Sequence, residues 1–114
     1  MRLLISQVEF EQLIGLQEPE GPVANFTMIY FTANWCSACR RLDLPAIEAA
    51  VGANWLKCDV DSNNYTAGYC GIRSIPTFLA IVDKKVVGSF GSSNTDDVIK
   101  WCKAIEEKAA TKQI

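Results

Sequence analysis

The sequence predicts an α/β fold in which a central mixed β-sheet is flanked by helices on both faces. Runs rich in valine, isoleucine and aromatic residues alternate with helical stretches along the chain. The run at 26–31 is almost continuously apolar, as in a strand that is covered on both faces, and we expect it to be the central strand. A chain of 114 residues with 49% apolar residues can bury one core. We therefore expect residues 1–114 to form a single domain.

The predicted elements follow one another as β-α-β-α-β-α-β-β-α. The strands are expected at 3–5, 26–31, 55–60, 78–82 and 86–90, and the helices at about 7–15, 36–50 and 64–69 and after Asn94.

Local signals set the boundaries of these elements. Ser6 and Glu9 have the spacing of a capping box at the start of the first helix. Pro45 should kink the second helix or disturb its hydrogen bonds. A turn at 83–85 joins the last two strands, and Asn94 can cap the last helix.

Charge and hydropathy exclude several classes of protein. The chain has 11 Lys and Arg against 13 Asp and Glu, a net charge of −2, so it lacks a basic footprint for nucleic acid. The longest apolar run, at 78–82, is too short to cross a bilayer, and the first residues do not resemble a signal peptide. We expect no nucleic-acid partner and no membrane partner.

The chain contains no histidine and five cysteines. Without histidine, it lacks the usual general base and the commonest metal ligand. The odd number and irregular spacing of the cysteines favour free thiols in a reducing compartment, so we expect a cytoplasmic protein. These cysteines are Cys36, Cys39, Cys58, Cys70 and Cys102.

The most informative motif is the C-x-x-C formed by Cys36 and Cys39, where a buried strand is predicted to end and a helix to begin. Unpaired N–H groups and the positive end of the helix dipole would favour the thiolate of Cys36. Cys39, one turn deeper, could attack the mixed disulfide and release the reduced substrate. Such a pair performs two-electron chemistry without a histidine or a cofactor.

Zinc binding is the alternative use of a C-x-x-C motif. Only Cys58 and Cys70 could complete the ligand set, and neither belongs to a second C-x-x-C, so we expect no metal. Cys58 and Cys102 lie on a predicted strand and on the apolar face of the last helix, where small core residues are expected. Cys70 is either another structural residue or an exposed, oxidisable thiol.

Residues 35–39 (Trp-Cys-Ser-Ala-Cys) and 71–77 (Gly-Ile-Arg-Ser-Ile-Pro-Thr) resemble the thioredoxin family, and the likeness extends over nearly the whole chain. The resemblance implies a thioredoxin fold and a cis peptide bond before Pro76. It places a docking surface for a substrate's disulfide at Trp35, Ile75, Pro76 and Gly91. It also implies protein disulfides as substrates and an electron donor of the thioredoxin-reductase type, and we expect a monomer.

Three departures from the family pattern fall near the two cysteines. Ala38 stands where the family has proline, so this position gains an N–H. Tyr30 replaces a buried aspartate that helps to move the proton of the second cysteine. Pro45 lies one residue later than the family's helix proline. Lys57 keeps the family's lysine, either to tune proton transfer or as a solvated charge at a strand end.

The sequence therefore predicts a thiol–disulfide oxidoreductase that reduces protein disulfides. Because the changes at Ala38 and Tyr30 both favour an ionised Cys36, an oxidase-like or isomerase-like relative is one alternative. A binding module that keeps the fold without turnover is the other. Retention of both cysteines, Trp35 and Pro76 argues against the binding module.

Overall fold

The computed structural model describes residues 1–111, and this part of the chain contains five strands and four α-helices in the predicted order. The strands are β1 (Arg2–Leu3), β2 (Phe26–Thr32), β3 (Asn54–Asp59), β4 (Thr77–Val82) and β5 (Lys85–Gly91). The helices are α1 (Gln7–Leu13), α2 (Leu44–Ala50), α3 (Asn64–Tyr69) and α4 (Thr95–Thr111), and a short 3-10 turn covers Cys39–Arg41.

The strands form one mixed sheet in the order β1-β3-β2-β4-β5. β1, β3 and β2 run parallel, whereas β4 is antiparallel to both β2 and β5. The buried strand β2 therefore lies at the centre of the sheet, as predicted. In its register, Tyr30 lies between Lys57 of β3 and Phe78 of β4.

Side chains that alternate along β2 fill two cores, one on each face of the sheet. Met28 and Tyr30 pack in the core that contains buried residues of α2 and α4. Ile29 and Phe31 pack in the core that contains buried residues of α1 and α3. The predicted arrangement, a mixed sheet with helices on both faces, is confirmed.

The Asn94 cap and the Ser6 half of the predicted capping box are present. The Ser6 hydroxyl accepts a hydrogen bond from the backbone N–H of Glu9 at 3.1 Å, and the carboxylate of Glu9 pairs with Arg2. The side chain of Asn94 accepts from the N–H of Asp97 at 3.0 Å, which fixes the start of α4. The first strand is shorter than predicted, because it ends at Leu3 and leaves Ile5 exposed.

The predicted continuous helix from Cys36 to Ala50 is wrong. After the 3-10 turn, Leu42 adopts an extended conformation with ψ 137°, and α2 begins only at Leu44. The Asp43 side chain caps α2 by accepting from the N–H of Ala46 at 3.2 Å. Pro45 lies in the first helical turn, where its missing N–H costs no hydrogen bond. It therefore marks a helix start and does not kink a longer helix.

Among the helices within residues 1–111, none is long and apolar enough to cross a membrane.

Candidate active site

The C-x-x-C motif lies in a tight loop that follows the central strand. β2 ends at Thr32, and the N–H of Cys36 donates to the carbonyl of Ala33 at 3.1 Å. Cys36 and Cys39 form a disulfide with their Cα atoms 5.3 Å apart. Both residues are buried, with 4% and 7% of their surfaces exposed.

The hydrogen bond that serves Cys36 comes from the first residue of the 3-10 turn and not from an α-helix. The backbone N–H of Cys39 donates to the Sγ of Cys36 at 3.1 Å. In the reduced protein, the same N–H is placed to stabilise a thiolate on Cys36, because hydrogen bonds to the charged form favour it. The prediction that an α-helix begins at Cys36 is wrong for this part of the structure, and the N–H of Cys39 is the donor observed at the sulfur.

Trp35, which directly precedes the C-x-x-C, is exposed, with 66% of its surface accessible. Its indole N–H donates to a carboxylate oxygen of Asp61 at 2.9 Å. Asp61 follows β3, which runs parallel to β2, so the carboxyl ends of both strands meet at the same edge of the sheet. This contact was not predicted from the sequence, although the parallel order of the two strands could have indicated it.

The residues predicted to form the docking surface lie at the same end of the sheet. The peptide bond between Ile75 and Pro76 is cis, as the family resemblance implied. Trp35 and Ile75 line one cavity of about 370 Å³. Gly91 is paired with Thr77, and a Cβ atom at Gly91 would lie 3.5 Å from the carbonyl oxygen of Pro76. The structure therefore places Gly91 against the cis-proline loop.

A second cavity, of about 620 Å³, adjoins the disulfide itself. Cys36 and Cys39 line it together with Tyr30, Lys57 and Asp59. Tyr30 is buried and stacks on Phe78, with 5.0 Å between the ring centroids. Burial raises the pKa of the Tyr30 hydroxyl above its usual value, an effect that the Thr32 side chain opposes. Lys57 is exposed to solvent at the same cavity.

The other three cysteines lie away from this loop. Cys58 and Cys102 are fully buried in the two cores, as predicted, and burial raises the pKa of each thiol to about 12. Cys70 ends α3 and is half-buried, and desolvation raises its pKa to about 11. Raised pKa values keep these thiols protonated near neutral pH and therefore poorly nucleophilic.

Within residues 1–111, no group of three or more His, Cys, Asp or Glu side chains is arranged to hold a metal ion.

Comparison with known proteins identifies the family. A family model described as Thioredoxin matches residues 5–104. Thioredoxin 2 of Chlorobaculum tepidum is 46% identical over 65 residues, which cover 53% of this chain and 59% of that protein. A Thioredoxin H-type protein of Oryza sativa subsp. indica is 34% identical over 109 residues, covering 90% of this chain and 87% of that protein.

The solved structures agree with this result. The crystallographic structure of Fasciola hepatica thioredoxin superposes with a TM-score of 0.74 and 30% sequence identity, covering 91% of this chain and 98% of that one. The disulfide between Cys36 and Cys39 is the redox centre that this fold carries here. This chain therefore belongs to the thioredoxin family and is a thiol–disulfide oxidoreductase of the disulfide-reducing type.

Proposed function

We propose that Cys36 is the attacking thiolate and Cys39 the resolving thiol with which this enzyme reduces protein disulfides. The observation that carries the proposal is the disulfide between the two residues, in which the N–H of Cys39 donates to the Sγ of Cys36. This donor stabilises negative charge on Cys36, whereas the raised pKa values of Cys58 and Cys102 disfavour the same charge on those thiols.

The reaction requires two exchange steps. The Cys36 thiolate attacks one sulfur of the substrate disulfide, forms a mixed disulfide and releases the other substrate sulfur as a thiolate. Cys39 then loses its proton and attacks the Sγ of Cys36, which releases the second substrate sulfur. Two electrons have moved to the substrate, and the enzyme is left with the disulfide seen in the structure.

The substrate is proposed to dock on Trp35, Ile75, Pro76 and Gly91. Trp35 is exposed, and the hydrogen bond from its indole N–H to Asp61 fixes the ring, so that its apolar face can contact a substrate. The cis bond before Pro76 lies directly before the start of β4, and the proline brings no N–H to compete for the reacting sulfur. The Ile75 backbone would then pair with an extended segment of the substrate.

The proton of Cys39 is proposed to leave through the cavity of about 620 Å³. Tyr30 is neutral at pH 7, because the ordinary pKa of tyrosine is 10.0 and burial raises the pKa of Tyr30 further, so it does not provide the ionised acid that the family has at this position. Lys57 lies at the same cavity but is exposed, and we propose that it tunes the local potential without taking the proton. Water in the cavity would then accept the proton of Cys39.

Further proposals concern the setting in which the enzyme works. We propose a monomer that forms a single domain over residues 1–114, acts in the cytoplasm and is re-reduced by a donor of the thioredoxin-reductase type. The family match over residues 5–104 supports this setting. Consumption of NADPH when a purified thioredoxin reductase is added tests the donor.

Reduction of insulin by dithiothreitol tests the function. We expect the wild-type protein to accelerate the appearance of insulin precipitate and Cys36→Ser to give no acceleration. Cys58→Ala is the matched control, since this core thiol takes no part in the proposed exchange. A wild-type protein that gives no acceleration, or a fully active Cys36→Ser variant, would contradict the proposal.

A further inference from the structure

Thr77 lies at the junction between the cis-proline loop and the sheet. It is the first residue of β4 and is buried between Phe31 of β2 and Gly91 of β5. β2 is also the strand that leads into the loop of Cys36. Thr77 therefore connects the substrate-docking loop to the strand that carries the redox centre.

The Thr77 hydroxyl holds this loop by a side-chain hydrogen bond. Its Oγ1 donates to the carbonyl oxygen of Ser74 at 2.7 Å. The bond closes a ring over Ser74, Ile75 and Pro76. Because Pro76 has no N–H, the backbone has one donor fewer with which to hold this turn. The hydroxyl supplies a hydrogen bond where the backbone lacks one.

Gly91 of the neighbouring strand lies beside the hydroxyl. A Cβ atom at Gly91 would lie 3.4 Å from Oγ1 of Thr77 and 3.5 Å from the carbonyl oxygen of Pro76, which is ordinary van der Waals contact. Gly91 therefore borders both the Thr77 hydroxyl and the cis-proline loop.

We infer that Thr77 is a positioning residue, whose hydroxyl fixes the Ile75 backbone in the orientation that pairs with a substrate's extended chain. This inference rests on the proposed docking of substrate at Ile75. The hydroxyl itself touches no reacting atom. Its effect is therefore confined to substrates that bring a peptide chain to the loop, and small disulfides do not need it.

The experiment compares Thr77→Val, which keeps the shape and removes the hydroxyl, with Thr77→Ser, which keeps the hydroxyl. Rate constants are measured for prereduced enzyme with insulin and with dithiobis-nitrobenzoate, a disulfide without a peptide chain. We expect Thr77→Val to lower the rate constant with insulin about fivefold, the worth of one ordinary hydrogen bond, and to leave the rate constant with dithiobis-nitrobenzoate within about twofold. Thr77→Ser should recover most of the rate with insulin.

Three results would overturn the inference: an unchanged insulin rate in Thr77→Val, an equal loss with both disulfides, or a loss in Thr77→Ser as large as that in Thr77→Val. The last two would show that Thr77 only supports the fold. The wild-type rate with insulin separates this test from that of the proposed function. If the wild-type enzyme is active and Thr77→Val equals it, only the positioning role is lost.

Discussion

The two cysteines of the active-site loop and the two cysteines of the cores differ little in exposure. Cys36 and Cys39 are 4% and 7% exposed, and Cys58 and Cys102 are 0% exposed. Their surroundings differ much more. The loop pair adjoins a cavity and has a backbone N–H on one sulfur, whereas the core thiols are desolvated enough to raise the pKa of each to about 12. The reactivity of a thiol in this chain therefore depends on nearby hydrogen-bond donors and on access to a cavity, more than on the exposed fraction of the residue.

The largest expected difference between the two regions is the rate of alkylation. In reduced protein treated briefly with iodoacetamide near neutral pH, we expect Cys36 to be labelled at least about 100-fold faster than Cys58 and Cys102. The reason is that only a thiolate reacts, and the core thiols stay protonated. Mass mapping of peptides gives the site, and labelling in denaturant is the control in which all five cysteines should react. Preferential labelling of Cys39 or of a core thiol would contradict the proposal that Cys36 is the reactive thiolate.

A smaller effect is expected from restoring an acid beside the loop. Tyr30→Asp should speed the resolution of a Cys36 mixed disulfide about tenfold at pH 7, with the advantage shrinking towards pH 9, because the carboxylate can accept the proton of Cys39. The variant should also lose several kcal/mol of stability, since it places a charge where a phenol is buried. Stopped-flow measurement of the resolution step gives the rate.

Tyr30→Phe is the matched control for this variant, because it keeps the ring that stacks on Phe78 and removes only the hydroxyl. It should resolve the mixed disulfide as fast as the wild type, since the neutral phenol is not the proton acceptor. Equal rates of mixed-disulfide resolution in the wild type and in Tyr30→Asp across pH 6 to 9 would show that a carboxylate at position 30 does not assist the deprotonation of Cys39.

The sheet and most of its elements were predictable from the sequence because they depend on patterns local to each segment. The apolar run at 26–31 indicated a central strand, and Ser6 and Asn94 indicated the starts of two helices, all of which the structure contains. The redox role of the C-x-x-C was predicted from its spacing and its place after a strand, and the cis bond before Pro76 was implied by the family resemblance. These features need no knowledge of which residues meet across the fold.

The remaining features of the site depend on contacts between distant segments. Trp35 meets Asp61 across two parallel strands, and Thr77 meets Gly91 across an antiparallel pair. Local sequence patterns do not predict such contacts between distant residues. The break between the 3-10 turn and α2 was missed for a different reason: Pro45 is compatible both with a kink and with a first helical turn, and the Asp43 cap decides between them.

The core thiols should also make stability depend on pH. An unfolded Cys102 loses its proton near its ordinary pKa of 9.0, whereas the folded residue keeps it to about pH 12. Its contribution to stability is therefore complete below pH 9 and is lost as the pH rises towards 12. We expect the free energy of unfolding of oxidised protein to fall between pH 8 and 10, and to fall about 1 kcal/mol less in Cys102→Ala. The free energy of unfolding is measured by urea denaturation at each pH. An equal fall with pH in the wild type and in Cys102→Ala would contradict this assignment.

The smallest expected effect is that of proline between the loop cysteines. Ala38 has φ −64°, a value that proline adopts without strain, so Ala38→Pro should keep the loop while removing one N–H. Fewer donors near Cys36 should lower its thiolate fraction at pH 7 and lower the reduction potential by about 10–30 mV. Titration against glutathione gives the potential, and an equal or higher value in the variant would show that this position does not set it.

Trapping of the mixed disulfide shows directly which cysteine attacks and which resolves. Prereduced Cys39→Ser is mixed with a disulfide-containing protein, quenched with alkylating agent and mapped by mass spectrometry. We expect a stable mixed disulfide through Cys36, because attack proceeds and resolution does not. We expect no such adduct in the wild type, where Cys39 releases it, and none through Cys58. An adduct through another cysteine in Cys39→Ser, or a stable adduct of equal yield in the wild type, would contradict the assigned roles.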